Sequence, residues 1–152
     1  MSEVFAYKPP FGIETIKKIL PHREPFLLVD EITHLDVDSV RGIKRVSPDE
    51  SFFEGHFPGN PVLPGVLHIE IMAQVGACWI LSRTEHLGKI AYLMTVESAK
   101  FRAPVGPGTE LDVFGRISSL RSRTGRLDAT IHVDGKIVSE AAIFFAFMKG
   151  AT

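Results

Sequence analysis

The chain has 152 residues, 45% hydrophobic and 23% charged, with a formal net charge of −1. That balance excludes a disordered chain, and the length suits one domain, residues 1–152, whose core needs no disulfide or metal staple. With no run of lysine and arginine, nucleic acid and anionic membrane are excluded as partners.

The first ten residues, MSEVFAYKPP, lack the basic start and apolar run of a secretion signal, so a cytoplasmic protein is expected. PPFGIETIKKIL (9–20) reads as a proline-led short helix closed by Pro21. FLLVDEITHLDV (26–37) is rich in β-branched and aromatic residues and predicts a strand. Asp38 and Ser39 predict the turn into a second strand, VRGIKRV (40–46).

GHFPGNPVLPG (55–65) is a loop stiffened by prolines, and it leads into an apolar helix from about Pro64 to Ser82. HLGK (86–89) reads as its stop, with Gly88 in the left-handed conformation. Residues 66–81 are fewer than the ~20 of a bilayer span and include His68, Glu70 and Gln74, so a buried helix is expected and no membrane span. Cys78, the one cysteine, excludes an internal disulfide and a cysteine-based metal site; within this helix it is a small buried hydrophobe.

The second half predicts strands at 91–105, 109–120, 125–133 and 136–148, with a turn at 122–125 and a strong hairpin signal at Asp134-Gly135. Arg116, Arg121, Arg123 and Arg126 gather there, but Asp112 and Asp128 flank them, which reads as a solvated hairpin. One apolar helix among antiparallel strands has a single sensible place, the concave face of a curved sheet. The fold class is therefore α+β, with the sheet wrapped around one long central helix. Its exposed edge strands invite pairing with a second copy.

Several residues carry candidate chemistry. At the helix start, Gly65 permits close approach, and the N–H groups of Gly65, Val66 and Leu67 are expected to point outward unpaired, ready for an oxygen that gains negative charge. Glu70 lies in a helix apolar nearly all round, a setting that suits a general acid, and Gln74 is four residues on, able to orient it. His68 is about 200° from Glu70 around the helix, so the two do not meet, and His68 is expected to be a core-edge or interface residue satisfied by a hydrogen bond. His56, in the rigid loop, is a candidate base. His22, His34, His86 and His132 have no acidic or cysteine partner at ligand spacing, so no metal site is expected.

Three segments together, LPHREPFLLVD (20–30), FFEGHFPGNPVLPGVLHIEIMAQ (52–74) and AKFRAPVGPG (99–108), resemble the FabZ-type 3-hydroxyacyl-acyl carrier protein dehydratases. The resemblance implies a hotdog fold, with a homodimer forming one continuous sheet and three dimers making a hexamer. It implies that His56 and the Glu70 of the other copy are catalytic, that the Gly65 N–H binds the thioester carbonyl, and that Gln74 supports the acid. The implied reaction converts (3R)-3-hydroxyacyl-acyl carrier protein to the trans-2-enoyl thioester and water, with acyl carrier protein as partner and no cofactor. Phe57, Pro58, Leu63, Val66 and strand residues 93–97 are candidates for the wall of an acyl channel, whereas Ile69 and Trp79 read as core. Glu24 stands where the family often has an aromatic residue, and Thr95-Val96-Glu97 where it tends to have Gly-Ile-Asp; both departures bear on acyl length and carrier. A hotdog thioesterase, using Glu70 to activate water, and an acyl-binding module without turnover are the alternatives.

Overall fold

A helix that is apolar on every side has to be covered on every side, and the chain is arranged to do that. The computed structural model describes residues 4–150. In chain order its elements are β1 (Phe11–Gly12), α1 (Ile13–Ile19), β2 (Glu31–Leu35), β3 (Ser39–Arg45), α2 (Gly65–Leu81), β4 (Lys89–Phe101), β5 (Glu110–Leu120), β6 (Thr124–Val133) and β7 (Lys136–Lys149). The strands form one antiparallel sheet in the order β1-β2-β3-β5-β6-β7-β4.

Period-two alternation aims one face of that sheet at α2. Leu111, Val113 and Ile117 of β5 and Leu127, Ala129 and Ile131 of β6 are buried, while Asp112, Phe114, Arg116, Asp128 and Thr130 point the other way. Ile16, Ile19 and Leu20 close the core from the α1 side. Within α2, Ile71, Met72, Val75, Cys78, Trp79, Ile80 and Leu81 are all at most 1% exposed. Fully burying each large apolar side chain contributes about 1.5–3 kcal/mol. The Trp79 indole N–H still finds a partner, donating to the Asp36 carbonyl at 2.8 Å. Burial pushes the Cys78 thiol pKa far up, so it packs as a hydrophobe and not as a nucleophile.

Two glycines bring α2 close to the sheet. A Cβ on Gly76 would lie 2.6 Å from Leu127 Cδ2, and one on Gly115 would lie 2.9 Å from Leu127 Cδ1. Leu127 thus fills space that both glycines leave.

The helix and the hairpins stand where the sequence places them. Pro64 and Ser82 flank α2 as its caps, and Asp134 (φ 49°) with Gly135 (φ 79°) makes the tight β6–β7 turn. Other boundaries differ. Phe11–Gly12 pairs with β2 before α1 begins. The segment predicted as strand 26–37 forms ladder only over Glu31–Leu35; Leu27, Leu28 and Val29 are buried, but the Leu28 N–H donates to the Gln74 side chain. The turn before β3 spans Asp36–Ser39, closed by Asp36 N–H donating to the Ser39 carbonyl at 2.9 Å, so Ser39 already opens β3. Gly88 does take a left-handed φ of 82°, yet α2 has already ended at Leu81, and Gly88 serves the turn into β4. β4 stops at Phe101 because the Arg102 and Ala103 N–H groups turn to the Val138 carbonyl, so 102–105 is loop.

β4 lies at the sheet's end with one side open. Tyr92, Leu93, Met94 (60%), Val96 and Phe101 are exposed along it.

Gly76→Ala is expected to destabilise the protein by ~1–3 kcal/mol through overpacking against Leu127. Leu127→Val in the same chain should recover part of that loss. Urea unfolding of the three variants at fixed protein concentration checks both.

Candidate active site

The loop that carries His56 is held by hydrogen bonds as well as by prolines. Phe57 N–H donates to the Asn60 carbonyl at 2.9 Å and Asn60 N–H returns to the Phe57 carbonyl at 2.8 Å. Val62 N–H donates to the His56 carbonyl at 2.9 Å. Pro58, Pro61 and Pro64 fix φ between these points. Leu63 N–H then donates to the Val105 carbonyl at 2.8 Å, tying the loop to the segment after β4.

The His56 ring is fixed in turn. Its Nδ1 lies 2.8 Å from the Val62 carbonyl, which can only accept, so in the neutral ring Nδ1 carries the hydrogen and Nε2 the lone pair. Phe57 stacks on the ring with centroids 3.9 Å apart. His56, Leu63, Gly65, His68, Phe101 and Arg102 line a cavity of about 260 Å³. At the start of α2 the Leu67 N–H, expected to be free, instead donates to the Pro64 carbonyl at 2.9 Å in a tight first turn. The N–H groups of Gly65 and Val66 have no backbone partner among the described residues. A Cβ on Gly65 would sit 3.4 Å from the Phe101 ring, so glycine keeps that approach open.

Glu70 belongs to a different cavity, of about 40 Å³, lined by His22, Gln74, Ala77, Tyr92, Leu93 and Phe145 among others. Gln74 is fully committed there. Its Oε1 accepts from Leu28 N–H at 2.8 Å, and its Nε2 donates to the Phe26 carbonyl at 2.8 Å and to Glu70 Oε1 at 2.9 Å. His22 Nε2 stands 3.6 Å from the same Oε1. The carbonyl oxygen of a neutral carboxyl group is its better acceptor, so in the neutral form Oε1, which accepts from Gln74, takes that place and the proton sits on Oε2. The carboxyl group is thereby oriented, with Oε2 left for the cavity.

His22 is the residue that sequence spacing missed, since its partner comes from a distant helix; the only signal was its place within LPHREPFLLVD. Glu24, in the same segment, is exposed and pairs with Lys17 at 3.1 Å. The structure thus brings His56, Gly65 and Leu63 together, and separately Glu70 and Gln74. Phe57 (50%), Pro58 and Val66 (73%) line neither cavity and face outward from the single chain. Of the strand candidates at 93–97, Leu93 reaches the Glu70 cavity. Trp79 is core, and Ile69 is half-buried against it.

A concavity of about 510 Å³ shares no residue with either of these two cavities; it lies on the sheet face turned away from α2. Its Arg41 is already paired with Asp112. Nearby, Arg116 approaches Asp38 and Arg126 pairs with Glu97 and Asp128, as a solvated hairpin requires. Among the described residues, no cluster of three His, Cys, Asp or Glu is placed to hold a metal, and no helix is long and apolar enough to cross a membrane.

Gln74→Leu is expected to cost ~1–3 kcal/mol for each partner it leaves unpaired, Leu28 N–H and the Phe26 carbonyl. A lowered thermal midpoint with a largely intact far-UV spectrum is the outcome that checks it.

The chain as a whole is similar to known proteins. The FabA-like domain family matches residues 20–142. The chain is 49% identical over 138 residues to a 3-hydroxyacyl-[acyl-carrier-protein] dehydratase FabZ of Clostridium botulinum (strain Okra), covering 90% of this chain and 96% of that one. It is 44% identical to the FabZ of Caldicellulosiruptor saccharolyticus, covering 90% and 98%. Among solved structures, the dehydratase heterocomplex ApeI:P from Xenorhabdus doucetiae has the same fold at a TM-score of 0.76 and 19% identity, covering 94% of this chain and 93% of that one. A mutant of thioesterase PA1618 from Pseudomonas aeruginosa follows it at 0.70 and 16%, covering 96% and 99%. The sheet around α2 is thus a hotdog fold, and the chain belongs to the FabA-like family, with the FabZ-type 3-hydroxyacyl-[acyl-carrier-protein] dehydratases.

Proposed function

We propose that the protein dehydrates a (3R)-3-hydroxyacyl chain on acyl carrier protein, giving the trans-2-enoyl thioester and water, in fatty-acid or related acyl-chain biosynthesis. The working unit is a homodimer, and each site joins His56 and Gly65 of one copy to Glu70 of the other. One observation carries this reading: the two half-sites border opposite ends of the same open edge strand. Tyr92 and Leu93 of β4 line the Glu70 cavity, and Phe101 lines the His56 cavity. Antiparallel pairing of two β4 strands sets the start of one against the end of the other, bringing unlike half-sites together. It also covers the apolar side chains that β4 exposes. Val66, Phe57 and Pro58, which face outward in one chain, then wall the acyl channel alongside Leu63. Three such dimers form the hexamer.

The chemistry follows from the geometry. The thioester carbonyl accepts from the Gly65 N–H, which stabilises the negative charge that builds when the C2 proton leaves. His56 Nε2 takes that proton. The electron pair forms the C2–C3 double bond as the C3–O bond breaks, and Glu70 Oε2 delivers its proton to the departing hydroxyl, which leaves as water. His56 then returns a proton to Glu70 through solvent. The thioester itself acidifies C2, so no cofactor enters any step.

His56→Ala and Glu70→Gln are each expected to lower enoyl formation by ~10²–10⁴-fold on a 3-hydroxyacyl-acyl carrier protein. Enoyl product and free thiol are followed separately, and thiol release without enoyl product would move the protein to the thioesterases. Co-expression of the two inactive variants should restore roughly a quarter of wild-type activity, because mixed dimers hold one intact site. Sites built within one chain would restore none.

A further inference from the structure

His68 stands one helical turn after Gly65 and lines the same cavity as His56, yet the dehydration described above does not use it. It is 2% exposed, and its Nδ1 lies 2.8 Å from Ser139 Oγ on β7. Ser139 is fully buried, and this is the one hydrogen bond its hydroxyl makes among the described residues. That fixes the direction of the bond. Were Ser139 to accept from Nδ1, its own hydrogen would be buried without an acceptor, at a cost of ~1–3 kcal/mol. The hydroxyl therefore donates to Nδ1, and the neutral ring carries its hydrogen on Nε2. Burial favours that neutral form, holding the imidazole pKa below the usual histidine value. The ring meets Phe101 edge-on at 5.7 Å, which holds its plane. Helical side chains lean toward the N-terminus, so the ring at position 68 covers the turn that begins at Gly65.

We propose that His68 Nε2–H is a second donor to the substrate's thioester oxygen, completing with the Gly65 N–H a two-donor oxyanion site in the His56 cavity. The site takes the carbonyl of an acyl thioester, and Ser139 acts as a positioning residue that sets the tautomer. This rests on the dehydratase reading. No group is transferred: the hydrogen stays on Nε2 while the oxygen gains and then loses its charge.

His68→Leu combined with Ser139→Ala removes both the donor and the hydroxyl that would otherwise be orphaned. Its kcat for enoyl formation should fall roughly 10²-fold with KM changed far less. His68→Gln, whose side-chain oxygen can accept from Ser139 while its amide nitrogen faces the cavity, should recover most of that loss. ¹⁵N-histidine NMR at neutral pH should show a ring that is protonated at Nε2 and bare at Nδ1, absent from the spectrum of His68→Gln. Wild-type kcat in the double variant, beside an inactive His56→Ala, overturns the role of His68 and leaves the dehydratase reading standing. Equal loss in the double variant and in His68→Gln, or the opposite tautomer, overturns it as well. A wild-type protein that forms no enoyl product overturns both readings.

Discussion

The near-complete burial of α2 from Ile71 to Leu81 is the constraint on which this protein depends. An apolar helix stabilises a small domain by its burial, but only if sheet, α1 and the 27–29 segment all close on it. That leaves its polar residues with no water to satisfy them. Gln74 answers by saturating its amide with two backbone groups and one carboxylate. His68 answers through Ser139. Buried polar groups that are fully satisfied are rigid, and rigidity at these points is what acid–base chemistry needs. Under the proposed function, packing and chemistry share the same hydrogen bonds.

The same helix also separates the chemistry. Gly65 and His68 look toward the loop that carries His56, while Glu70 and Gln74 look toward His22 and β4. One chain holds His56, Gly65 and His68 in one cavity and Glu70 in another. A single copy is therefore two half-sites, and the exposed apolar edge of β4 runs between them. An edge strand left so apolar would be an aggregation liability in a monomer. In the proposed dimer that edge becomes the interface.

Hydrogen-bond direction assigns roles that distance alone does not. A carbonyl oxygen can only accept, so the Val62 carbonyl fixes the His56 tautomer, as the Ser139 hydroxyl fixes that of His68. An amide N–H can only donate, so Gln74 decides which Glu70 oxygen holds the proton. Each of these partners lies outside the reacting atoms, and each restricts the neighbouring group to one useful form.

Much of this was legible in the sequence because it is local. A long apolar run marked α2, prolines marked the rigid loop, Asp134-Gly135 marked a hairpin, and residues at i and i+4 placed Gln74 beside Glu70. Three ordered segments carried the resemblance to the dehydratases, and with it the site residues His56, Glu70 and Gly65. What the sequence could not decide are contacts between residues far apart in the chain. The 26–30 segment has strand-forming composition, but a side chain from α2 claims its backbone. His22 reached Glu70, and Ser139 reached His68 from 71 residues away, through packing of helix on sheet. Composition and short-range spacing thus determined the elements by themselves, and the resemblance of three ordered segments named the candidate site residues. Only the tertiary structure decided which groups share a cavity, which tautomer each holds and which edge lies open, because those depend on where separate elements meet.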